Sequence, residues 1–429
     1  MICPMVAGGC SSYIMCMNNL DVPHHQRPEL PDVLVLGAGV TGLMAAIGLG
    51  QAGFAVHLIG QISPVAPGRT VALFDGSIRM LRNLGLWDAL APHAAALSTM
   101  RIVDDTGSLF TIPPVDFEAR EIGLEQFGFN ISLASLTGVL LDAARKTPAI
   151  RLTDGLARQI RFTPGHAELV LADGSIHTAR LLAAADGRDS PARAAAGIAT
   201  RQWTYPQVAL TAVLAHRQPH HNISTEFQTR AGPCTLVPMP QQADGRNRSS
   251  LVWLMTPEQA ETRAALDDRA FALAVQRQCR FALGAMEVEG SRGHMPMSGL
   301  AALHCTGPQL ALLGEAAHVF PPIGAQGLNL GLRDVGDLVD CLTATAHSGT
   351  AGIQPALDRF EALRRGDIAT RTLVVDAMNR SLLTPFLPVD FLRGAGLAAL
   401  AHIGPLRRAV MRAGVHPQRL SSLMQARSA

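Results

Sequence analysis

Tyrosine is nearly absent from this chain: its 429 residues hold two, Tyr13 and Tyr205, and all aromatics together make up 4%. A site built on several phenol hydroxyls is thereby excluded. Lysine is scarcer still, since Lys146 is the single lysine among 36 basic residues. Charged residues amount to 16%, against roughly 25% in an average soluble chain. The net charge of +2 supplies no basic field, so nucleic acid is not an expected partner. The seven cysteines (Cys3, Cys10, Cys16, Cys234, Cys279, Cys305 and Cys341) are odd in number and form no CxxC pair. That excludes a disulfide framework and a zinc site, leaves no metal centre to expect, and points to a reducing, cytoplasmic setting. No uninterrupted apolar run of about 18 residues occurs, so no membrane-spanning helix is expected.

What is present is apolar: 48% of residues are hydrophobic, enough for the interiors of two or three domains. Residues 1–30 lack a basic start followed by an apolar stretch, so no secretory signal is expected. They read as a loose extension, with Met15 or Met17 as alternative starts. The run Val33–Leu36 reads as a buried parallel strand, Val40–Ala52 as a helix closed by Gly53, and Val56–Ile59 as the next strand. The spacing of Leu73, Ile78, Leu81 and Leu84 predicts a helix over Thr70–Leu84. Short strands and prolines follow to about residue 130, then a helix over Leu136–Arg145. Strands continue to about residue 185, with Asp173-Gly174 as a hairpin turn. Residues 200–300 read as strands plus two polar helices, near 257–266 and 268–282. Leu310–Leu313 is a further buried strand, and from Gly327 onward the pattern is helical.

Three motifs punctuate this order. Gly37-Ala38-Gly39-Val40-Thr41-Gly42 joins the first strand to the first helix. Glycine at 37 permits a tight turn, at 39 a close backbone approach to a pyrophosphate, and at 42 close helix–sheet packing. The acid that usually ends the second strand of such a unit is missing; Gly60 and Gln61 stand there, and Gln61 is the candidate ribose contact. The second motif, Ala184-Ala185-Asp186-Gly187-Arg188-Asp189-Ser190, reads in isolation as a turn and a helix cap. The third runs from Gly314 and Glu315 through Pro321, Pro322, Gly324, Ala325, Gln326, Gly327, Leu328 and Asn329 to Gly331. Its carboxylate can accept from ligand hydroxyls, and its small residues let backbone amides face a flat ligand at a helix start.

In this order the motifs resemble the single-component FAD-dependent aromatic hydroxylases typified by para-hydroxybenzoate hydroxylase. The closer likeness is to the ubiquinone-biosynthesis hydroxylases. Arg69-Thr70-Val71-Ala72-Leu73, Phe127-Gly128-Phe129-Asn130-Ile131, Gly232-Pro233 and Gln326 through Asp334 carry that likeness. The resemblance implies an α/β fold: a discontinuous, glutathione-reductase-type Rossmann-like FAD domain (31–100, 130–200, 300–350). It further implies an inserted β-sheet substrate domain (101–129, 201–299) and a helical C-terminal region (351–429). It implies FAD as cofactor, NAD(P)H as co-substrate, O₂ as the oxygen source, and an aromatic, polyprenylated substrate. Assembly with other quinone-biosynthesis enzymes belongs to the same expectation. By position, Gly37, Gly39 and Gly42 would hold the FAD pyrophosphate and Arg69 would lie near the cofactor. Asp186 and Gly187 would line the groove shared by FAD and NAD(P)H, and Gly314 and Glu315 would face the ribitol. Pro322, Gly324, Ala325, Gln326, Gly327, Leu328 and Asn329 would flank the isoalloxazine, with Pro322 at the reacting face.

Two departures from the family pattern stand out: Glu315 where aspartate is usual, and Leu133 where a polar residue is expected. Ring activation asks for a base, and Tyr205 and His216 are the available candidates, although each reads more simply as a core or surface residue. His318 in the third motif reads as a structural hydrogen-bonding group. Residues 391–429 carry six arginines (Arg393, Arg407, Arg408, Arg412, Arg419, Arg427) and no acid. Such a segment suits either a helix packed on the body or peripheral contact with an anionic membrane. The alternatives to a polyprenyl substrate are a small soluble aromatic, or a flavin-binding scaffold without turnover.

Overall fold

The computed structural model describes residues 32–426, except 64, 66–67, 108–112, 243, 322–323, 348–351, 384–395, 397–398 and 416–418. The expected N-terminal extension, Pro322, Arg393 and Arg427 therefore lie outside the described residues.

Four apolar residues in succession need cover on both faces of their strand. Val33–Leu36 finds it at the centre of a six-stranded sheet, parallel to Leu181–Ala184 on one side and Val56–Gly60 on the other. Leu310–Leu312 and Ile150–Asp154 extend the parallel order outward, and Thr306–Gly307 closes one edge antiparallel. The helix Val40–Gln51 packs on this sheet and is buried nearly all round. An antiparallel trio (Ala157–Thr163, His166–Leu171, Ile176–Ala179) is inserted ahead of Leu181–Ala184. Its hairpin turns at Asp173-Gly174 as expected, with Gly174 at φ +85°.

The second large sheet has eight strands, in the order His318–Val319, Met286–Ala302, Thr200–His216, Asn247–Met255, Gly232–Met239, Ile223–Thr229, Thr99–Asp104, Val115–Glu118. Alternate residues Val208, Leu210, Ala212 and Leu214 bury against the helices Pro257–Ala264 and Asp268–Gln278. The second of these helices stops at Gln278, earlier than expected, because Arg280 and Phe281 turn left-handed at φ +50° and +54°.

One expectation fails. Thr70–Phe74 is a strand, and the helix is confined to Asp75–Asn83. Thr70, Val71 and Leu73 pair with Ser132, Ile131 and Phe129 in a three-stranded sheet completed by Ala94–Leu97. Cross-strand pairing and β-branched residues override a spacing that is helical only from Ile78 onward. The helix expected from Leu136 begins at Leu133.

Past the third motif the helices Gln326–His347, Gln354–Leu383 and Gly404–Val415 follow. Met411 and Val415 of the last join Phe74, Val115, Phe117 and Phe127 in one apolar cluster. Arg407 donates to the Asp116 carbonyl at 2.6 Å, pairs with Glu121, and lies 5.4 Å above the Phe117 ring. The packed-helix reading of the basic terminus therefore holds for that residue. Among the described residues no helix is long and apolar enough to cross a membrane.

Candidate cofactor and substrate site

The strands Val33–Leu36, Leu181–Ala184 and Leu310–Leu312 are neighbours and parallel, so their carboxyl ends lie side by side. Each end carries one motif. Backbone bonds lock the three together, Ala185 N to Leu36 O (2.8 Å) and Leu313 N to Ala184 O (2.8 Å), and Gly37 N to Ile59 O (2.8 Å) ties in the strand Val56–Gly60. Ligands of open α/β sheets bind at such strand ends.

The glycines divide into two kinds. A Cβ on Gly37, whose φ is +109°, would stand 2.2 Å from the Ala185 carbonyl oxygen, and one on Gly42 would stand 1.8 Å from the Gly37 oxygen. Those two are fixed by packing. Gly39, Gly187 and Gly327 have no atom within 4 Å of a Cβ position and border open space. The helix Val40–Gln51 starts at Gly39 without a side-chain cap, which leaves its first amides for a ligand. A cradle of this shape fits a dinucleotide pyrophosphate.

The missing acid of the second strand has a steric cause. A side chain at Gly60 would meet the Ala38 nitrogen at 2.4 Å, so the position admits only glycine. Gln61 next to it is exposed, as is Arg69, whose carbonyl accepts from Leu133 N at 2.9 Å. The latter bond is made by backbone, which explains why leucine serves at 133.

In the second motif the bland reading is correct as far as it goes. Ser190 caps the helix Pro191–Ala195 by accepting from Arg193 N (2.9 Å), and Asp186 Oδ2 accepts from Ala192 N (3.0 Å). Burial raises the Asp186 pKa, and its other oxygen, Oδ1, is buried without a partner. A ligand hydroxyl at the strand ends would satisfy that oxygen. Arg193, which the sequence reading left without a role, is buried and donates to Ala316 O and Arg188 O, both at 2.8 Å. It thus ties the second motif to the third.

Glu315 is exposed on the short turn Gly314–Ala316 and takes no hydrogen bond from the described residues, as a ribitol-facing carboxylate requires. Gly314 turns at φ +56° against Thr41. Asn329 lies elsewhere than the ring edge. Its Oδ1 accepts from Phe74 N (2.9 Å) and Ser77 Oγ (2.8 Å), and its Nδ2 donates to Ala72 O (2.8 Å) and Ala325 O (2.7 Å). With both polar ends saturated, this side chain anchors the loop instead of contacting a ligand. Gly324 and Ala325 turn left-handed (φ +65° and +52°), and Gln326 Nε2 donates to Gly324 O at 3.1 Å. Leu328 is half-buried one residue beyond the open face of Gly327.

Beneath the loop lies a buried charged node that sequence reading missed. Asp334 accepts from Gly314 N (2.8 Å) and Arg364 Nε (2.7 Å) and is 2.7 Å from His318 Nε2. Arg364 also reaches Asp337 and Asp367, both at 2.9 Å. His318 is fully enclosed, in keeping with the structural role expected of it. Asp334 stood within the recognised motif, but its partner 30 residues on left no local signal.

Tyr205 and His216 are not brought together. They sit eleven residues apart on one strand, which at about 3.3 Å per residue is roughly 35 Å. Both ring nitrogens of His216 are engaged, with Gln218 O (2.7 Å) and Ser249 Oγ (3.0 Å), and burial lowers its pKa. As a catalytic base it is corrected to a structural residue at the far corner of the sheet. The Tyr205 hydroxyl accepts from Trp203 Nε1 (2.7 Å) and donates to Asp376 (3.0 Å), which ties the long helix Gln354–Leu383 to the sheet.

A dinucleotide cradle at the ends of a parallel sheet, with an antiparallel sheet carried beside it, defines the class. The chain belongs to the FAD-binding domain family, whose description it matches over residues 31–373. It is 32% identical to the ubiquinone hydroxylase UbiL of Rhodospirillum rubrum, over 90% of this chain and 89% of that protein. It is 29% identical to the 3-demethoxyubiquinol 3-hydroxylase of Escherichia coli, over 89% of this chain and 97% of that protein. Among solved structures, the p-nitrophenol 4-monooxygenase PnpA of Pseudomonas putida superposes with a TM-score of 0.72 at 18% identity, covering 91% of this chain and 99% of that one. That likeness shows the fold. The protein is an FAD-dependent monooxygenase.

Proposed function

We propose that the protein uses NAD(P)H and O₂ to hydroxylate the ring of a polyprenyl phenol or quinol in ubiquinone biosynthesis. The observation that carries this reading is the meeting of three motifs at adjacent strand ends, in a chain whose relatives are ubiquinone hydroxylases. FAD, when bound, supplies the oxygen activation. The chain's own residues hold and shield it. Gly37, Gly39 and Gly42 with the free amides of Val40–Gln51 take the pyrophosphate, and Asp186 and Glu315 take hydroxyls. Gly187 borders the groove, and Arg69 lies at its edge. Gly324, Ala325, Gln326, Gly327 and Leu328 of the third-motif loop would border the ring system. Asn329 and Asp334 keep that loop in place and so keep water from the reacting face.

A greasy substrate has to be collected from a membrane. Ile403, just ahead of the last helix, and Leu406 and Val410 on it are all exposed, at 50%, 44% and 46%. Arg412, exposed, and Arg408 flank them. This stripe supports peripheral attachment to an anionic surface on the cytoplasmic side, where other quinone-biosynthesis enzymes would be met.

The test joins chemistry to physiology. Purified protein is expected to be yellow and to oxidise NAD(P)H faster when a prenylated phenol is added. A strain lacking it is expected to accumulate a ubiquinone precursor short of one hydroxyl, identified by lipid mass. An unchanged quinone pool with no phenol-stimulated oxidation would end the proposal. Co-sedimentation with anionic liposomes at low salt tests the membrane stripe, and no binding would sink that part alone.

A further inference from the structure

Pairing aligns Glu226, Thr235, Val252 and Thr211 in one row across the eight-stranded sheet, on the face opposite the two packed helices. All four side chains are only half-buried, whereas the rows on either side are closed at Ser250 and at Pro233, Leu254 and Ala209. A half-open row between closed ones leaves a trough on that face of the sheet.

Both borders of the row lead to the cofactor site. On one side Ser250 Oγ accepts from Thr70 Oγ1 at 2.8 Å, and Asn130 Nδ2 donates to Pro238 O at 2.8 Å. Those bonds clasp the sheet to the strand Thr70–Phe74, which Asn329 holds to the third motif. On the other side Leu254 and Ala209 cluster with Tyr205, whose hydroxyl reaches Asp376 of the long helix. The trough is therefore bordered by elements that the third motif and the long helix hold in place.

Glu226 is out of place in such a row. It is half-buried, with no cation at ion-pair distance among the described residues. Its two hydrogen bonds, from Gln228 Nε2 (3.4 Å) and Thr235 Oγ1 (3.5 Å), are both long. Burial pushes its pKa up. Beside it Gln228 Oε1 is buried with no partner at all. Two neighbouring acceptors on the trough lack an adequate donor, an arrangement that costs stability unless a ligand completes it.

We propose that Glu226, supported by Gln228, accepts a hydrogen bond from the ring hydroxyl of the substrate and so orients the ring for hydroxylation. This inference rests on the phenol or quinol substrate proposed above. A hydrogen bond to a carboxylate is worth roughly 10- to 100-fold in binding.

The experiment compares a short-chain prenylphenol with its O-methyl ether, which keeps the shape and lacks the donor. Binding to the FAD-loaded protein is read from the change in flavin absorbance, for wild type, Glu226→Gln and Glu226→Leu. Flavin content and melting temperature confirm that each variant is folded. Wild type is expected to prefer the phenol by about tenfold or more. Glu226→Leu is expected to lose that preference, and Glu226→Gln to keep a smaller one. A Glu226→Leu protein that still prefers the phenol, while wild type turns the phenol over, overturns this assignment and leaves the proposed function standing. Wild type that holds FAD but binds neither compound overturns both.

Discussion

The two large sheets treat their interiors in opposite ways. In the six-stranded parallel sheet, every residue of Val33–Leu36 and Leu181–Ala184 is buried, so the faces are sealed and only the strand ends meet a ligand. In the eight-stranded, mostly antiparallel sheet one face is covered by helices, while the other keeps the half-open row at Thr211, Val252, Thr235 and Glu226. On the proposed reading the parallel sheet would bind at its strand ends and the eight-stranded sheet on its half-open face. A cofactor with a charged linker suits the first and a flat apolar ring suits the second.

Substitutions at the two kinds of glycine test the sealed side of that contrast, with the largest effect expected. Gly42→Ala places a methyl 1.8 Å from the Gly37 oxygen, and the protein is expected to emerge colourless or aggregated. Gly39→Ala meets nothing within 4 Å. Its flavin-free form should melt as wild type does, while FAD titration shows weakened binding. Equal behaviour of the two would erase the distinction between packing and ligand-facing glycines.

The charged node comes next. Arg364→Met leaves Asp334 and Asp337 buried without their cation, for an expected loss of about 3–5 kcal/mol by denaturant titration. A third comparison lies within the antiparallel sheet. Leu254→Ala, on a closed row, is expected to cost about 2–4 kcal/mol, whereas Val252→Ala on the half-open row should cost about 1 kcal/mol or less. A Val252→Ala loss as large as that of Leu254→Ala would mean the row is solid core.

The smallest effect concerns acid. His57 sits in the parallel sheet beside His177 and Arg151, and burial first, then those charges, lowers its pKa from 6.5 to about 4. Its neutral form is the one the fold favours, so this stability is full above pH 6.5 and drains away as pH falls towards 4. With partial solvent screening, the advantage of wild type over His57→Gln should shrink by about 1–2 kcal/mol between pH 7 and pH 5. A constant difference across that range would show that His57 does not titrate in this way.

Where local chemistry set the structure, it was legible beforehand. The strand–glycine–helix unit at 33–60 is written in adjacent residues, and the motif ends at 186 and 314 follow strands that are wholly apolar. Residues whose neighbours are far away in the chain were harder to read. Thr70–Phe74 takes its conformation from residues 128–132, and Asn329 takes its role from Ala72, Phe74 and Ser77. Asp334 acquires its meaning only from Arg364. Glu226 carried no local signal, because the row that exposes it is assembled from four separate strands.

The paired strands Thr200–His216 and Met286–Ala302 run seventeen residues each, and their near ends are held by bonds from Leu303 N to Ala199 O and from Ala302 N to Ala317 O of the third motif. They work as a cantilever from which the whole ring-binding wall hangs. Their register slips twice, between Thr204 and Val208 and again between Thr211 and Val213. A regular ladder resists bending and a bulge yields, so any rocking of that wall over the flavin must flex there. The lever arm beyond those flexures then sets how far that wall can swing.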